Sequence, residues 1–567
     1  MIKKYLDKKK SIFISLFLIV ILHDYISIKA IHLRNLKLRN KKSYNAKILK
    51  NLHEVYTRKI NYTSSAQDRL PNDRYILIDC FPLPLWMVIN STIAHMIARK
   101  LNAKIKYFTF SKPSRESLSI LNAFGIKIEL RIRNRAKDLF TIYRIYSNIK
   151  KNLKNPHSVI EISLDGINLG IDIYESILRR SRATVSLEDH ETYIQIYRGI
   201  KQYIFFKDRF EKKEILAILV SHDNYIGPGL LSRIAYKYEV PVLLANMYGI
   251  SMPSQPFQLY SIFGRYKDYF DAISSKEQVQ YLKTAENELK RRISGELNIG
   301  MTYQIKSAFE NSNITSQIIR SSNTKVLILT HDFYDNPHGY GLLLFDDFLQ
   351  WMNFLGELSL KTNYDWYVKC HRDYSPQELM ELESFIIRYP NISIVNSEVS
   401  FIQLRNEGIE FALTCFGSVG HELPLLGITV VNNSNNPHIA YNFNVHARNL
   451  AEYEDIILNL PKHKITNFNY TDIYRFYTVH QYILNRDSYI LDSVTEMLNY
   501  CSGNLESDET LKYILENVER IISNTDAAAL DVLSNRRVHS IEKFLKGDFQ
   551  QKIQLTSHNL EFFSAFD

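Results

Sequence analysis

Cysteine is scarce in this 567-residue chain: Cys80, Cys370, Cys415 and Cys501 lie far apart, and no two form a Cys-x-x-Cys pair. That excludes a disulfide framework or a zinc-finger site, and it makes a reducing cytoplasm the natural compartment. Long apolar runs are wanting too. After the basic "MIKKYLDKKK", the run "SIFISLFLIVIL" (11–22) stops at His23-Asp24, with no small-residue cleavage site behind it. It falls short of the ~20 residues that span a bilayer. Its flanking lysines would seat it at the inner membrane surface, with packing on the first domain or service as a signal or anchor as the alternatives.

Several motifs are also missing. There is no Arg-rich stripe, zinc-finger spacing or RNP-like aromatic motif, so no nucleic-acid partner is expected. No P-loop, Gly-x-Ser-x-Gly elbow or His-Glu-x-x-His helix occurs. No period of 20–50 residues recurs, and Asn-Pro-His at 155–157, 336–338 and 436–438 is shared turn chemistry in differing surroundings.

What is present is globular. Apolar residues make up 45% and charged residues 23%, and the length fits two domains of roughly 200 residues with extensions. The formal charge of +10 suits anionic partners such as nucleotide sugars, polyanionic glycans or an acidic membrane surface. The 37 Tyr and 30 Phe accompany abundant Lys, Asn and Ile, a bias of AT-rich coding, and are not taken as evidence of ligand stacking.

The spacing predicts alternating strands and helices. "RYILIDCF" (74–81) reads as a strand, 86–102 as a helix, "KIKYFTF" (104–110) as a strand, "RESLSILNAFG" as a helix and "IKIELRI" (126–132) as a strand. After a helical insertion come the buried strand "ILAILVSHD" (215–223), a Gly-Pro-Gly turn, a helix and "VPVLLANM". A more regular series follows: strands at 324–330, 365–371, 392–396, 411–416 and 428–434, with helices between them, the first being "GLLLFDDFLQWMNFLGELSL" (341–360). The expected divisions are a basic extension at 1–70, an α/β domain at 71–290, a linker at 291–322, a second α/β domain at 323–470 and a helical tail at 471–567 that packs across both.

In open α/β sheets ligands bind beyond the carboxyl ends of the strands, and four polar clusters of the second half follow its strands. They are "HDFYDNPHGYG" (331–341), "KCHRDYSP", "GSVGHE" and "NNSNNPH". Gly417-Ser418-Val419-Gly420 would let backbone N–H groups approach an anion, and Glu422 could accept from ribose hydroxyls. Lys369, His371 and Arg372 supply positive charge for a leaving phosphate. His331 and His338 are candidates for contact with a bound phosphate or sugar. Together with Asp332 and Asp335 they could also be read as metal ligands or as a structural turn.

These stretches carry a resemblance. "HDFYDNPHGYG…LFDDFLQW", "WYVKCHRDYSP", "CFGSVGHELPLLGITVV" and "NPHIAYNFNVHARNLAEYE" resemble the C-terminal domain of GT-B glycosyltransferases, in particular the bacterial capsule and surface-polysaccharide biosynthesis proteins. The likeness extends into "DGINLGIDIYESILRR" and "SHDNYIGPGLLSRIAYKYEVPVLLAN". It implies an α/β fold of two Rossmann-like domains facing across a cleft. The second domain would hold the nucleotide sugar through Ser418, His421, Glu422 and the Lys369 to Arg372 stretch, and the first would hold a glycan or lipid-linked glycan acceptor; His438, which ends the cluster "NNSNNPH", is a further candidate for the nucleotide-sugar site. The implied enzyme works without a metal or other cofactor, in the cytoplasm or at the cytoplasmic membrane face. One departure stands out: where many relatives read Lys-x-His-Pro, this chain has Arg372, which puts that loop's geometry in doubt.

A general base must lie within hydrogen-bond reach of the attacking hydroxyl. The candidates are Asp165 in "SLDGINLG" and His222-Asp223 after the strand at 215–221, against bland readings as a turn and a helix cap. Asp346-Asp347 reads as a solvated face, and His446 and Arg448 as either cleft-lining or structural. Rival functions are a CDP-glycerol or CDP-ribitol phosphotransferase of teichoic-acid type, a sugar-nucleotide epimerase, and a noncatalytic glycan-assembly scaffold.

Overall fold

The computed structural model describes residues 74–534, except 82, 110–114, 247–248, 254–255, 257–261, 298, 300–305, 311–313, 342, 372–373, 434, 484–495 and 497–507. The expected extension at 1–70 with its apolar run, Arg372, Cys501 and the chain beyond 534 lie outside the described residues.

The first half opens as expected with β1 (Tyr75–Asp79), α1 (Pro84–Leu101), β2 (Lys104–Phe108) and α2 (Arg115–Ala123). The strand expected at 126–132 does not form. Its backbone makes two hydrogen bonds to Tyr107, at 2.9 and 2.7 Å, and one bridge from Glu129. Ile128 stays 40% exposed, so the apolar face of the alternation gains too little burial to extend the pairing. Then follow α3 (Ala136–Asn152), the hairpin β3 (Ser163–Leu164) and β4 (Ile167–Asn168), α4 (Gly170–Leu178) and α5 (His190–Glu211). β5 (Ile215–Val220), α6 (Leu230–Lys237), β6 (Val242–Asn246) and β7 (Gly249–Ser251) complete it. The sheet order is β2-β1-β5-β6-β7, parallel apart from β6 with β7. Period-two alternation sends Ile76 and Ile78 to the α1 side and Tyr75 and Leu77 to the side covered by α4, α5 and α6.

Next come α7 (Tyr266–Asp271) and α8 (Ser275–Ile293), whose start is fixed by the Ser274/Glu277 capping box. The second half runs β8 (Lys325–Leu329), α9 (Phe348–Ser359), β9 (Asp365–Lys369), α10 (Pro376–Arg388), β10 (Ile392–Val395), α11 (Phe401–Asn406), β11 (Phe411–Thr414), α12 (Val419–Glu422), β12 (Thr429–Asn432) and β13 (Val445–His446). Its six strands are parallel in the order β10-β9-β8-β11-β12-β13. Val326 and Ile328 face α9 and α10, while Leu327 and Leu329 face α11. α9 starts later than expected, because extended Asp347 caps Phe348 and accepts from Gln350 N–H at 2.8 Å.

α13 (Leu450–Leu458) and α14 (Tyr470–Thr478) follow, and α14 packs through Ile473 and Phe476 against α7 and α8. α15 (Asp508–Ser534) lies on α1, adding Ile514, Ile521 and Ile522 to the first core. The protein is thus a mixed α/β chain built on two largely parallel sheets. No described helix is long and apolar enough to cross a membrane.

Candidate functional site

Each sheet has one place where successive connections leave in opposite directions. In the first, β1 leads to β2 on one side and has β5 on the other; in the second, β8 leads to β9 on one side and has β11 on the other. Such switch points open a crevice at the carboxyl ends of the strands.

At the second switch point His331, just past β8, stacks on Phe348 with ring centroids 4.7 Å apart. Its Nε2 accepts the Cys415 N–H at 3.3 Å and lies 3.1 Å from Thr414 Oγ1, whose oxygen in turn accepts from Gly417 N–H. A nitrogen that accepts a backbone N–H carries no proton, so in the neutral ring the hydrogen is on Nδ1. Burial, helped by the charge of His371, lowers the His331 pKa to about 4 and keeps the ring neutral at pH 7. His331 is therefore a fixed neutral donor at the mouth of the second sheet.

The loop from His331 then reaches the first half. Asp335 Oδ1 accepts from Tyr225 O–H at 2.8 Å and lies 3.5 Å from Arg179 Nη1. Tyr225 has φ 67, a left-handed conformation, and follows His222 at the carboxyl end of β5. The Tyr225–Gly229 turn is held from behind: Ile226 N–H donates to Ser176 Oγ at 2.7 Å, and Gln202 Nε2 donates to Gly227 O at 3.0 Å. A Cβ on Gly229 would lie 2.3 Å from Asp172 Oδ1, and the other Asp172 oxygen accepts from Arg233 Nε at 2.7 Å. His222 sits between Phe81 and Tyr225, with ring centroids 5.0 and 5.9 Å away. Burial, with the charge of Arg179, lowers its pKa to about 4. Tyr225, Arg179 and Asp335 thus tie the carboxyl end of one sheet to that of the other.

His338 does not share the position of His331. It is 1% exposed, its Nδ1 lies 3.4 Å from Glu175 Oε1, and its ring meets Tyr174 edge-on. Asp347 is a correction to the reading of a solvated face: it is fully buried and accepts from Tyr174 O–H at 2.6 Å and Thr184 O–H at 2.7 Å. Asp346, beside it, pairs with His157 at 2.7 Å.

The other sequence-predicted residues divide. Lys369 is 3% exposed and donates to Ser397 O at 2.6 Å, so its charge is directed away from the crevice. His371 is exposed. Glu422 is 2% exposed and forms an ion pair with Arg292 of α8 at 2.6 Å, the guanidinium occupying the oxygen expected for ribose. His421 and His438 are buried 3.2 Å apart beneath Phe476, and burial pushes both well below the usual histidine range. Gly417 and Ser418 remain partly exposed, and Ser418 Oγ donates to Glu422 Oε2 at 3.4 Å.

Gly420 serves packing rather than an open anion cradle. Its N–H donates to Gly417 O at 2.9 Å, and a Cβ would stand 2.4 Å from His438 Cε1. Gly420→Ala is expected to cost about 1–3 kcal/mol, since the buried ring must shift; the displacement of a urea unfolding midpoint measures it. Asp165, with φ 51, is the turn residue between β3 and β4, and Lys207 and then Tyr203 hold its carboxyl below the usual range. It stands apart from the Asp335 contacts. Asp223 is half-buried behind His222, its pKa raised by burial against the pull of Arg233. His446 bonds Tyr441 O at 3.0 Å, and Arg448 is an exposed partner of Glu452.

The sequence reading missed Asp79. This last residue of β1 lies at the first switch point, 4% exposed, and burial raises its pKa to about 7. The available signal was an acid closing an otherwise apolar strand, "YILID". Arg179 and Tyr225 were also missed. Among the described residues no three His, Cys, Asp or Glu side chains gather as metal ligands, and Cys80, Cys370 and Cys415 are buried free thiols.

No family model matches the chain, and no curated protein matches it. Among solved structures it is similar to KpsC of Thermosulfurimonas dismutans, a β-Kdo 2,4 transferase, with 11% identity over 47% of this chain and 79% of that one and a TM-score of 0.28. It is also similar to the UDP-GlcNAc 2-epimerase of Neisseria meningitidis, with 13% identity, 72% and 98% coverage and a TM-score of 0.23. A glycosyltransferase of Rickettsia africae shows 10% identity, 77% and 99% coverage and a TM-score of 0.24. These likenesses are weak.

Proposed function

We propose that the protein is a glycosyltransferase that moves a sugar from a nucleotide-sugar donor to a surface-polysaccharide acceptor. The observation behind this reading is the Tyr225–Asp335–Arg179 contact, which brings the carboxyl ends of two largely parallel sheets together. A two-substrate reaction needs one crevice for each partner and a shared mouth between them. In this reading residues 71–290 form the acceptor domain, 323–470 the donor domain, 291–322 the link, and 471–567 the tail. The resemblance of the loop sequences to surface-polysaccharide enzymes supplies the substrate class.

The roles follow from position and charge. An acceptor hydroxyl gives its proton to Asp79, whose raised pKa matches a base working near neutrality. The hydroxyl oxygen bonds the anomeric carbon as the bond to the nucleotide's phosphate breaks. Arg179, His371 and the Nδ1–H of His331 meet the charge that develops on that phosphate, which assigns leaving-group stabilisation to fixed side chains rather than a metal ion.

Arg179→Ala is expected to weaken donor binding about tenfold to a hundredfold, as for a lost charge-assisted hydrogen bond, read by calorimetry with CMP-, CDP-, UDP- and GDP-linked donors. Transfer assays with the donor that binds then test the reaction. A changed sugar formed from the donor alone would favour the epimerase, and release of CMP from a CDP-alcohol the phosphotransferase.

A further inference from the structure

α3 buries one face through Ile142 and Tyr146 on the side of the first sheet covered by α4, α5 and α6. The opposite face holds Lys137, Phe140, Arg144, Asn148 and Lys151, which recur at helical spacing and are all exposed. Phe140 is 71% exposed, in the same stripe as the three cations. The only acid of the helix, Asp138, is taken up by Arg135. Arg133, just before the helix, is exposed as well. None of Arg133, Lys137, Arg144 and Lys151 has an ion-pair partner among the described residues. From Lys137 to Lys151 the stripe is about 20 Å long at 1.5 Å per residue.

We propose that the outer face of α3 docks on an anionic phospholipid bilayer, with Phe140 entering the headgroup boundary and Lys137, Arg144 and Lys151 meeting lipid phosphates. Cations arranged around an exposed aromatic ring suit an interface that offers negative charge and apolar depth together. A soluble polyanion offers only the charge. A second copy of the chain meeting this face about a two-fold axis would set like charges against one another. The assignment stands apart from the donor-site reading and does not depend on which nucleotide binds.

The test is sedimentation of the full chain with phosphatidylcholine vesicles containing or lacking phosphatidylglycerol. The native chain is expected to bind the anionic vesicles alone, and more weakly as salt rises. Lys137→Gln, Arg144→Gln and Lys151→Gln combined should lower the partition about a hundredfold, and Phe140→Ser about tenfold, with melting temperatures unchanged. The inference is overturned if the native chain ignores anionic vesicles, or if it binds them and the variants bind equally well. It is also overturned if Phe140→Ser changes nothing while heparin competes fully, because the face would then be a polyanion site. Donor binding by calorimetry is expected to be the same in all these variants.

Discussion

Asp79→Asn is expected to lower kcat for the proposed transfer by about 10²–10⁴-fold, the usual contribution of a positioned general base. The native rate should rise with pH through about 7, where the Asp79 carboxyl loses its proton, and the variant should lack that limb. His222, with its pKa near 4, stays neutral across the same interval and would give no limb there. The same substitution has a stability signature of known sign. Asp79 has a folded pKa raised above its unfolded value, so the native state holds the extra proton between about pH 4 and 7, and stability falls as pH rises through that window. The full fall is on the order of 4 kcal/mol. Asparagine does not ionise, so urea midpoints at pH 5 and 8 should converge in the variant.

Arg292→Ala is expected to destabilise the protein by about 3–5 kcal/mol, because it leaves Glu422 charged and buried without its partner. Replacing both residues with apolar ones of similar size should recover most of that loss. Comparing the two variants by chemical denaturation separates the pair's structural part from any donor contact. The pair fastens α8 to α12 and explains why Glu422 faces the interior. A fall in nucleotide affinity in a Glu422 variant therefore has to be read beside its stability.

Much of the fold was legible, because strand and helix periods are local. Ser375-x-x-Glu378 and Ser274-x-x-Glu277 mark helix starts that the structure shows as capping boxes. The apolar runs at 215–220 and 325–329 became the strands flanking the two switch points. The order of elements also placed His331 and His222 at carboxyl ends of strands.

What was not legible depends on partners distant in sequence. Asp347 looked solvated because the hydroxyls that bury it, on Tyr174 and Thr184, belong to the other half of the chain. Glu422, His421 and His438 looked like crevice residues because Arg292 and Phe476, which pair with or cover them, lie well outside their motifs. Lys369 ends its strand where a cation was wanted, yet its side chain turns to Ser397 O. A motif tells which end of a strand a residue occupies. Which way its side chain turns is set by the neighbour that claims it.

The most direct test is calorimetric titration of the native chain and His331→Gln with CMP-, CDP-, UDP- and GDP-linked sugars, with Asp165→Asn as a distant control. Glutamine keeps an acceptor near the Nε2 position for Cys415 N–H but has no N–H at the Nδ1 position. The native chain and the control are expected to bind one of these donors alike, and His331→Gln to bind it at least about tenfold more weakly, through loss of the Nδ1–H contact to phosphate. Absence of binding by every donor, or equal affinity in His331→Gln, would contradict a nucleotide-sugar site at the β8 and β11 switch point.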